Sequence, residues 1–315
     1  MTIFEKLNIL IEKETNLCSI IKEYESFFIV FKQEEHSHLS KQILTKIISL
    51  QENFISQPDN LLLVFSTVRY MFETLIHLRL IEKETDYVYK LFYSIYNHQV
   101  DKTQKLIDRL KYEIQLIDKY VKLEEINSEK LKSFKNSNET KAILEDVKNG
   151  EAAIDEEAEK ELTIFFGDYK FNGFPYQKHL MENEMLNKLQ IKLTEYQNLK
   201  TQKSKSLLKN KTIASLFNFN RQHSKVFKEL KDTRSWEEKA KETGLDNEYI
   251  QLYELSSSIL HSTSYSLMTS VDLENSEKQY AFDLICKYSN EIIKTIFSIL
   301  DIEKLKNLKI VNLEN

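Results

Sequence analysis

The sequence predicts an all-α fold, a multi-helix bundle with long antiparallel helices and no sheet of consequence. Its 315 residues include only 4 Gly and 2 Pro, the residues that turns and sheet-rich folds use most. Apolar residues make up 41% of the chain and recur at spacings of three and four, as on the buried face of a helix. That apolar content is enough for a sizeable core.

The helices can be placed in chain order from the apolar spacing and the polar breaks. A first helix is predicted over residues 1–31, and a polar break at residues 33–37 precedes a second. Pro58, with Asp59 and Asn60, predicts a turn and a cap before the third helix. Further helices are predicted over residues 61–81, 84–98, 103–134, 177–208, 236–266 and 276–300.

The third helix, residues 61–81, is long enough to cross a membrane. Arg69, Glu73, His77 and Arg79 lie in its central and later turns, and each is costly in hydrocarbon. We therefore expect a helix buried in a protein core and no membrane partner. The net charge of −5 likewise provides no overall basic field for membranes or nucleic acids.

The sequence also excludes several classes of site. Cys18 and Cys286 are isolated, and no secretory pattern opens the chain, so a cytoplasmic location is expected. There is no Gly-rich phosphate loop, dinucleotide fingerprint, HExxH, EF-hand loop or Cys/His cluster. Only Glu35 and His38 have the Glu-x-x-His spacing of a di-metal bundle, and they lie near a polar break. No cofactor and no metal are predicted.

We predict three parts along the chain. Residues 1–145 form an N-terminal helical part, and residues 177–315 form a C-terminal helical part that packs back on the first. Residues 146–176 form a connector, first acidic and then aromatic and irregular. Eight acidic residues lie between 145 and 161, and three of the four glycines lie in or just after this stretch.

A polar ridge on the third helix is the first candidate site. Arg69, Glu73 and His77 are four residues apart in turn, so they lie close to one ridge of the helix. Two interpretations stay open. The ridge is a structural ion pair within a buried helix, or it lines a cleft in which Arg69 holds an anion and Glu73 or His77 moves protons.

A second candidate is a polar face on the helix that follows Gly244, the residue predicted to end a short helix. Tyr253, Ser257 and His261 are four residues apart in turn, and we expect this face to meet the ridge of the third helix. The alternative is a satisfied core histidine with serines that allow close helix packing.

These residues carry a resemblance to a family of uncharacterised bacterial helical proteins, domain-of-unknown-function family fifty-six seventy-seven. The pattern is Arg-x-x-x-Glu, then Trp-x(7)-Gly-Leu, then Tyr-x-Leu-Ser-x(4)-His-Ser. It falls here on Arg69, Glu73, Trp236, Gly244, Leu245, Tyr253, Leu255, Ser256, His261 and Ser262. The resemblance implies a helical fold in which these polar residues face one another, and it implies no established reaction.

The chain also resembles, more loosely, the HEPN class of helical ribonucleases from toxins and phage-defence systems. Their hallmark is an Arg, four to six residues and a His, placed on a helix at a dimer interface. Seven residues separate Arg69 from His77 here, and one separates Arg221 from His223. Such chemistry would therefore need another pairing in space, such as Arg69 with His261.

A basic stretch is the clearest indication of a partner. No acidic residue lies between Tyr196 and Lys228, and Phe217, Phe219 and Phe227 are interleaved with the basic residues. Basic side chains would contact phosphates, and exposed aromatic rings could stack on single-stranded bases. The candidate nucleic-acid-binding residues are Lys203, Lys205, Lys209, Lys211, Arg221 and Lys225. Alternatively, the stretch docks on the acidic region with its Phe residues in the core.

Two functions follow from these observations. The first is an RNA-directed effector of a bacterial toxin or phage-defence type, acting as a metal-independent ribonuclease through Arg69, Glu73, His77, Tyr253, Ser257 and His261. The second is a non-catalytic helical interaction or scaffold protein in which the same residues form a buried polar network. RNA, a partner protein or a second copy of the chain is the expected partner.

Overall fold

The computed structural model describes residues 2–30, 33–133, 140–162, 173–217, 226–260 and 273–303. Within these ranges the chain is helical apart from short turns and contains no strand, which confirms the predicted all-α fold. The helices are α1 Ile3–Glu23, α2 Glu25–Val30, α3 Glu34–Ser56, α4 Leu61–Lys83, α5 Tyr87–Glu129, α6 Thr140–Glu161, α7 Phe174–Leu180, α8 Leu186–Lys209, α9 Lys211–Phe217, α10 Val226–Glu229, α11 Trp236–Glu242, α12 Asp246–Leu260 and α13 Asn275–Ile299.

Several helix boundaries differ from the sequence prediction. The helix expected over residues 1–31 breaks at Tyr24. The two helices expected on either side of residue 100 form the single 43-residue helix α5, because nothing between them, neither Gly nor Pro, interrupts the backbone hydrogen bonds. A five-residue π-helical turn, Met181–Met185, joins α7 to α8.

The chain forms two compact units. One comprises Met1–Tyr93 with Leu230–Asn315, and the other comprises Ser94–Glu229. The acidic part of the predicted connector lies within helix α6, whereas its aromatic part, residues 163–172, lies outside the described residues. The predicted division into three parts stays a prediction.

In the first unit, α4 is the central helix. It packs against α3, α11, α12 and α13, and its buried side chains occur on most of its circumference, among them Val68, Phe72 and Ile76. By length and composition α4 could cross a membrane, but 61% of its most apolar window is buried inside the unit. It is therefore packed as the core helix that its charged residues predicted.

Two local features fix the ends of the helices around α4. The Asn60 side chain caps α4 by accepting a hydrogen bond of 3.0 Å from the Leu63 backbone N–H. Helix α11 ends as predicted at Gly244, whose φ of +70° favours glycine. The Leu245 N–H then donates to the Ala240 carbonyl at 2.8 Å, as in a Schellman motif.

In the second unit, α5, α6 and α7 enclose a separate apolar core. Its buried members include Leu110, Ile117, Tyr120, Ala158 and Phe174. The acidic face of α6 is partly neutralised by α5 and by the 3₁₀ turn that follows it. Lys119 of α5 forms ion pairs with Glu157 and Glu161, and Lys130 of the turn forms one with Asp146.

Candidate active site

The Arg69–Glu73 pair exists as predicted on the α4 ridge. Arg69 Nε donates to Glu73 Oε1 at 2.9 Å, and the two side chains keep 20% and 26% of their surface exposed. The pair is thus half-buried at the edge of the core and not sealed inside it. At this exposure an ion pair four residues apart contributes only about 0.3–0.5 kcal/mol, so it is not a dominant stabilising contact.

Helix α12 meets this ridge through an aromatic face. The Arg69 guanidinium lies 4.7 Å from the centre of the Tyr253 ring, and Tyr253 stacks on Tyr249 with ring centres 4.7 Å apart. The predicted approach of the two helices is therefore present at Arg69 and Tyr253. The Ser257 side chain and all of His261 lie outside the described residues, so their part in the site stays a prediction.

His77 lies between two aromatic rings. Its imidazole is stacked on Tyr87 and tilted against Trp236, with ring centres 5.9 Å and 5.0 Å away. Its Nδ1 atom lies 3.0 Å from the Tyr87 hydroxyl oxygen. Burial, assisted by the charges of Lys239 and Arg234, lowers the pKa of His77 from its ordinary 6.5 to about 4. The imidazole is therefore neutral at neutral pH.

Behind His77 is a charged cluster that the sequence did not reveal. Tyr87 donates its hydroxyl hydrogen to Asp232 Oδ2 at 2.8 Å. Asp232 also accepts hydrogen bonds from the Arg234 backbone N–H and Nε, at 3.1 Å and 3.0 Å, and Lys239 Nζ lies 3.2 Å away. Burial alone would raise the pKa of Asp232, but these donors outweigh it and hold the pKa well below its usual range.

Arg234 joins the cluster to the residues around it. Arg234 forms ion pairs with Glu84 and Glu242, and its guanidinium lies over the Tyr87 ring at 5.0 Å. Ser235 caps α11 through a capping box with Glu238, which fixes the turn that carries Asp232 and Arg234. The residues of this cluster that were missed from the sequence are thus Tyr87, Asp232, Arg234 and Lys239.

A cavity of about 310 Å³ opens beside His77. This volume lies at the lower end of the range for ligand pockets, roughly 300–1,000 Å³. The cavity is lined by α3, α4 and the start of α11, and also by Leu91 of α5. The polar residues among its lining are Gln42, Lys46, Tyr70, Glu73, Thr74 and His77. It therefore brings together a neutral imidazole, a carboxylate and an ammonium group, which can move protons and hold an anion.

The basic stretch belongs to the second unit and is only partly described. Lys205, Lys209 and Lys211 are exposed, and Lys203 is half-buried. Within the described ranges, the three exposed lysines form no ion pair with a carboxylate. Arg221 and Lys225 lie outside the described residues.

Phe227 of this stretch is not an exposed platform for base stacking. Phe227 is buried, and it packs against Tyr96 and lies under the Lys200 ammonium at 5.4 Å. Phe217 is half-buried, and Phe219 lies outside the described residues. The expectation of an exposed ring is therefore wrong for Phe227, because its apolar surface is removed from water in the core of the second unit.

Among the described residues there is no group of three His, Cys, Asp or Glu side chains that could hold a metal ion. Glu35, one of the two residues with the di-metal spacing, accepts a hydrogen bond of 2.7 Å from the Tyr93 hydroxyl. No cluster of ligands is therefore described around it.

Comparisons with known proteins yield no relative. No protein-family model matches the chain, and neither the curated proteins nor the solved structures contain a match. The resemblances to the uncharacterised bacterial family and to HEPN ribonucleases accordingly stay predictions.

Proposed function

We propose that this protein is an RNA-directed effector of a bacterial toxin or phage-defence type. It cleaves RNA in the His77 cavity, and the reaction needs no metal ion. One observation carries the proposal: a single cavity is lined by neutral His77, Glu73 and Lys46. An uncharged imidazole has a ring-nitrogen lone pair that can accept a proton.

The reaction is transfer of the phosphodiester to the neighbouring ribose hydroxyl. His77 removes the proton from the 2′-oxygen, which attacks phosphorus while the bond to the 5′-oxygen breaks. Lys46 gives a proton to that leaving oxygen, and the products are a 2′,3′-cyclic phosphate and a 5′-hydroxyl. The charge that develops on the phosphate is offset by Lys46, which lines the cavity. His261 is a second candidate for the proton donor, as its sequence position after Tyr253 predicts.

RNA would be held by the basic stretch of the second unit. Lys205, Lys209 and Lys211 are exposed, and lysines without a carboxylate partner are available for phosphates. Lys203, Arg221 and Lys225 complete the predicted nucleic-acid-binding set. The cytoplasm, where cellular RNA is accessible, is the proposed location.

The chemical test uses purified protein and end-labelled RNA in the presence of a chelator. The wild type should release fragments that end in a 2′,3′-cyclic phosphate. His77→Asn should slow cleavage at least about a hundredfold, the usual contribution of a general base, and His261→Asn tests the second candidate. The matched control is His98→Asn, an exposed histidine on α5. Intact RNA with folded wild-type protein would exclude the nuclease.

The binding test replaces Lys205, Lys209 and Lys211 together by Gln. Each lost phosphate contact removes about 0.7 from the slope of log K against log salt for single strands, so the triple variant should lose a slope of about 2. The control replaces Lys102, Lys105 and Lys111, three exposed lysines of α5. An unchanged salt slope in the first variant would assign RNA binding elsewhere.

A second function is supported by a different observation. Arg69 is already bonded to Glu73, and Arg234 is bonded to Asp232, Glu84 and Glu242. Ion-paired networks of this kind also occur as purely structural elements that fix helix register. A non-catalytic interaction protein, bound to a partner protein or to a second copy, would neither cleave nor shift RNA. Its mass in solution or its co-purifying partner would then identify its role.

A further inference from the structure

The hydrogen bonds around Tyr87 determine where the His77 proton lies. A tyrosine hydroxyl has one hydrogen to donate. An ionised carboxylate can only accept, so the 2.8 Å contact with Asp232 Oδ2 uses that hydrogen. The Tyr87 oxygen can therefore only accept from His77, at 3.0 Å, and the hydrogen of that bond must sit on Nδ1.

A neutral imidazole has a single N–H group. With the hydrogen on Nδ1, the Nε2 atom of His77 carries a free lone pair. The ring that carries this lone pair lines the cavity of about 310 Å³. This is the state that a general base requires before it reacts.

The arrangement is held in place from several directions. The His77 ring is confined between Tyr87 and Trp236. Asp232 is fixed by two hydrogen bonds from Arg234 and by the Lys239 ion pair. Lys239 in turn lies over the Trp236 ring at 5.0 Å. Because each partner is itself held, the orientation of the imidazole costs little reorganisation when a ligand binds.

We propose that Tyr87 and Asp232 are positioning residues that hold His77 in the Nδ1–H form, so that Nε2 accepts a proton from a hydroxyl-bearing ligand in the cavity. If the proposed function holds, that ligand is the ribose of an RNA phosphodiester. The placement of a hydrogen on Nδ1 rests on the hydrogen-bond geometry and does not depend on the identity of the ligand.

The charged and titratable groups around His77 come from several elements. Glu73 lies on its own helix, and Lys46 of α3 lines the same cavity. Asp232 and Arg234 precede α11, and Lys239 lies within it. Lys239 and Arg234 oppose a positive charge on the ring, whereas Asp232 favours it. Loss of the hydrogen bonds that join His77, Tyr87 and Asp232 should therefore change which ring nitrogen carries the proton, while the ring stays neutral.

The test is nitrogen NMR of the protein labelled in its histidines, in which the two neutral forms of imidazole give distinct ring-nitrogen shifts. The His77 signals are identified by their loss in His77→Asn. The wild type should show the Nδ1–H form. Tyr87→Phe should give a mixture of the two forms. Asp232→Asn should favour the Nε2–H form, because the new amide donates to Tyr87 and frees its hydroxyl hydrogen for Nδ1. An Nε2–H form in the wild type, or an unchanged form in Tyr87→Phe, would overturn the proposal.

The same variants separate this proposal from the proposed function. In the RNA assay, Tyr87→Phe should lower kcat by about tenfold to a hundredfold with little change in KM, since it acts through the base and not on the ligand. A wild type with the Nδ1–H form but no cleavage of RNA would exclude the nuclease and leave the positioning role in place. Cleavage of RNA by a wild type in the Nε2–H form would support the nuclease and exclude the positioning role. Thermal unfolding of each variant establishes that it is folded.

Discussion

The His77 cavity can be compared with a second buried titratable cluster in the same unit. Glu14 of α1 is fully buried, and its Oε1 accepts hydrogen bonds from Gln51 of α3 at 3.0 Å and from Ser289 of α13 at 2.5 Å. Burial raises the pKa of Glu14 from 4.5 to about 7, against the two hydrogen bonds. The same cause that removes the charge from His77 thus acts here on an acid, in the opposite direction.

The two clusters differ in their surroundings, because one is enclosed in the core and the other lines a cavity. Among the described residues, Glu14 Oε2 and Gln51 Oε1 are both buried without a hydrogen-bond partner. A single proton on the Glu14 carboxyl would suit both, since it turns an acceptor into a donor. The Glu14 carboxyl is enclosed by core helices, so we assign it a structural role. His77 lines a cavity instead, and a shifted pKa beside a cavity makes a residue a candidate for function.

The largest expected effect concerns Glu14→Gln, which replaces the acid by a permanent neutral analogue. A raised folded-state pKa means that the folded protein loses stability as pH rises from about 4.5 to about 7. Relative to the wild type, the variant should gain about 3 kcal/mol of unfolding free energy across this window. Urea unfolding at a series of pH values measures it, with exposed Glu12→Gln as the control. A difference that does not vary with pH would show that Glu14 is an ordinary carboxylate.

His77→Asn should show the opposite pH dependence of stability relative to the wild type, because Asn keeps a donor for Tyr87 but cannot titrate. A lowered folded-state pKa means that the wild type loses stability as pH falls from about 6.5 to about 4. The variant should avoid this loss, again about 3 kcal/mol, and the same unfolding series measures it. In the wild type the Glu14 and His77 contributions oppose each other between pH 4.5 and 6.5, so each becomes visible only when the other is removed. Parallel curves for His77→Asn and the wild type would contradict the burial of a neutral imidazole.

These two clusters also show what the sequence could predict. The Arg69–Glu73 pair follows from a spacing of four on one helix, and the low Gly and Pro content predicts the all-helical fold. The bond between Tyr87 and Asp232 joins residues 145 positions apart, and the Glu14–Ser289 bond joins residues 275 apart. No periodicity encodes such contacts, because they depend on how helices pack in three dimensions. In the sequence, the charged segment of residues 231–234 cannot be distinguished from a solvent-exposed connector. Only the structure shows that Asp232 and Arg234 contact Tyr87.

A smaller effect is expected from Ser289→Ala, which probes how Glu14 is held. The hydroxyl is the donor that most strongly opposes the raised pKa of Glu14. Its loss should cost about 1 kcal/mol, and more above pH 7, where the carboxylate is ionised and the hydrogen bond is charge-assisted. Unfolding free energies on both sides of pH 7 measure this, with exposed Ser298→Ala on the same helix as the control. An equal loss at both pH values would mean that the hydroxyl does not sense the charge of Glu14.

The smallest expected effect is at the Arg69–Glu73 pair, where Tyr253 of α12 contacts Arg69. Tyr253→Leu keeps an apolar side chain but removes the ring that lies 4.7 Å from the guanidinium. Partly exposed contacts of this kind contribute about 0.5–1 kcal/mol, so the loss of stability should lie in that range and stay constant between pH 4 and 7. A double-mutant cycle with Arg69→Gln measures the coupling between the two residues. If the coupling is absent, α12 is held against α4 by apolar packing alone, and the half-buried Arg69 remains available to a ligand.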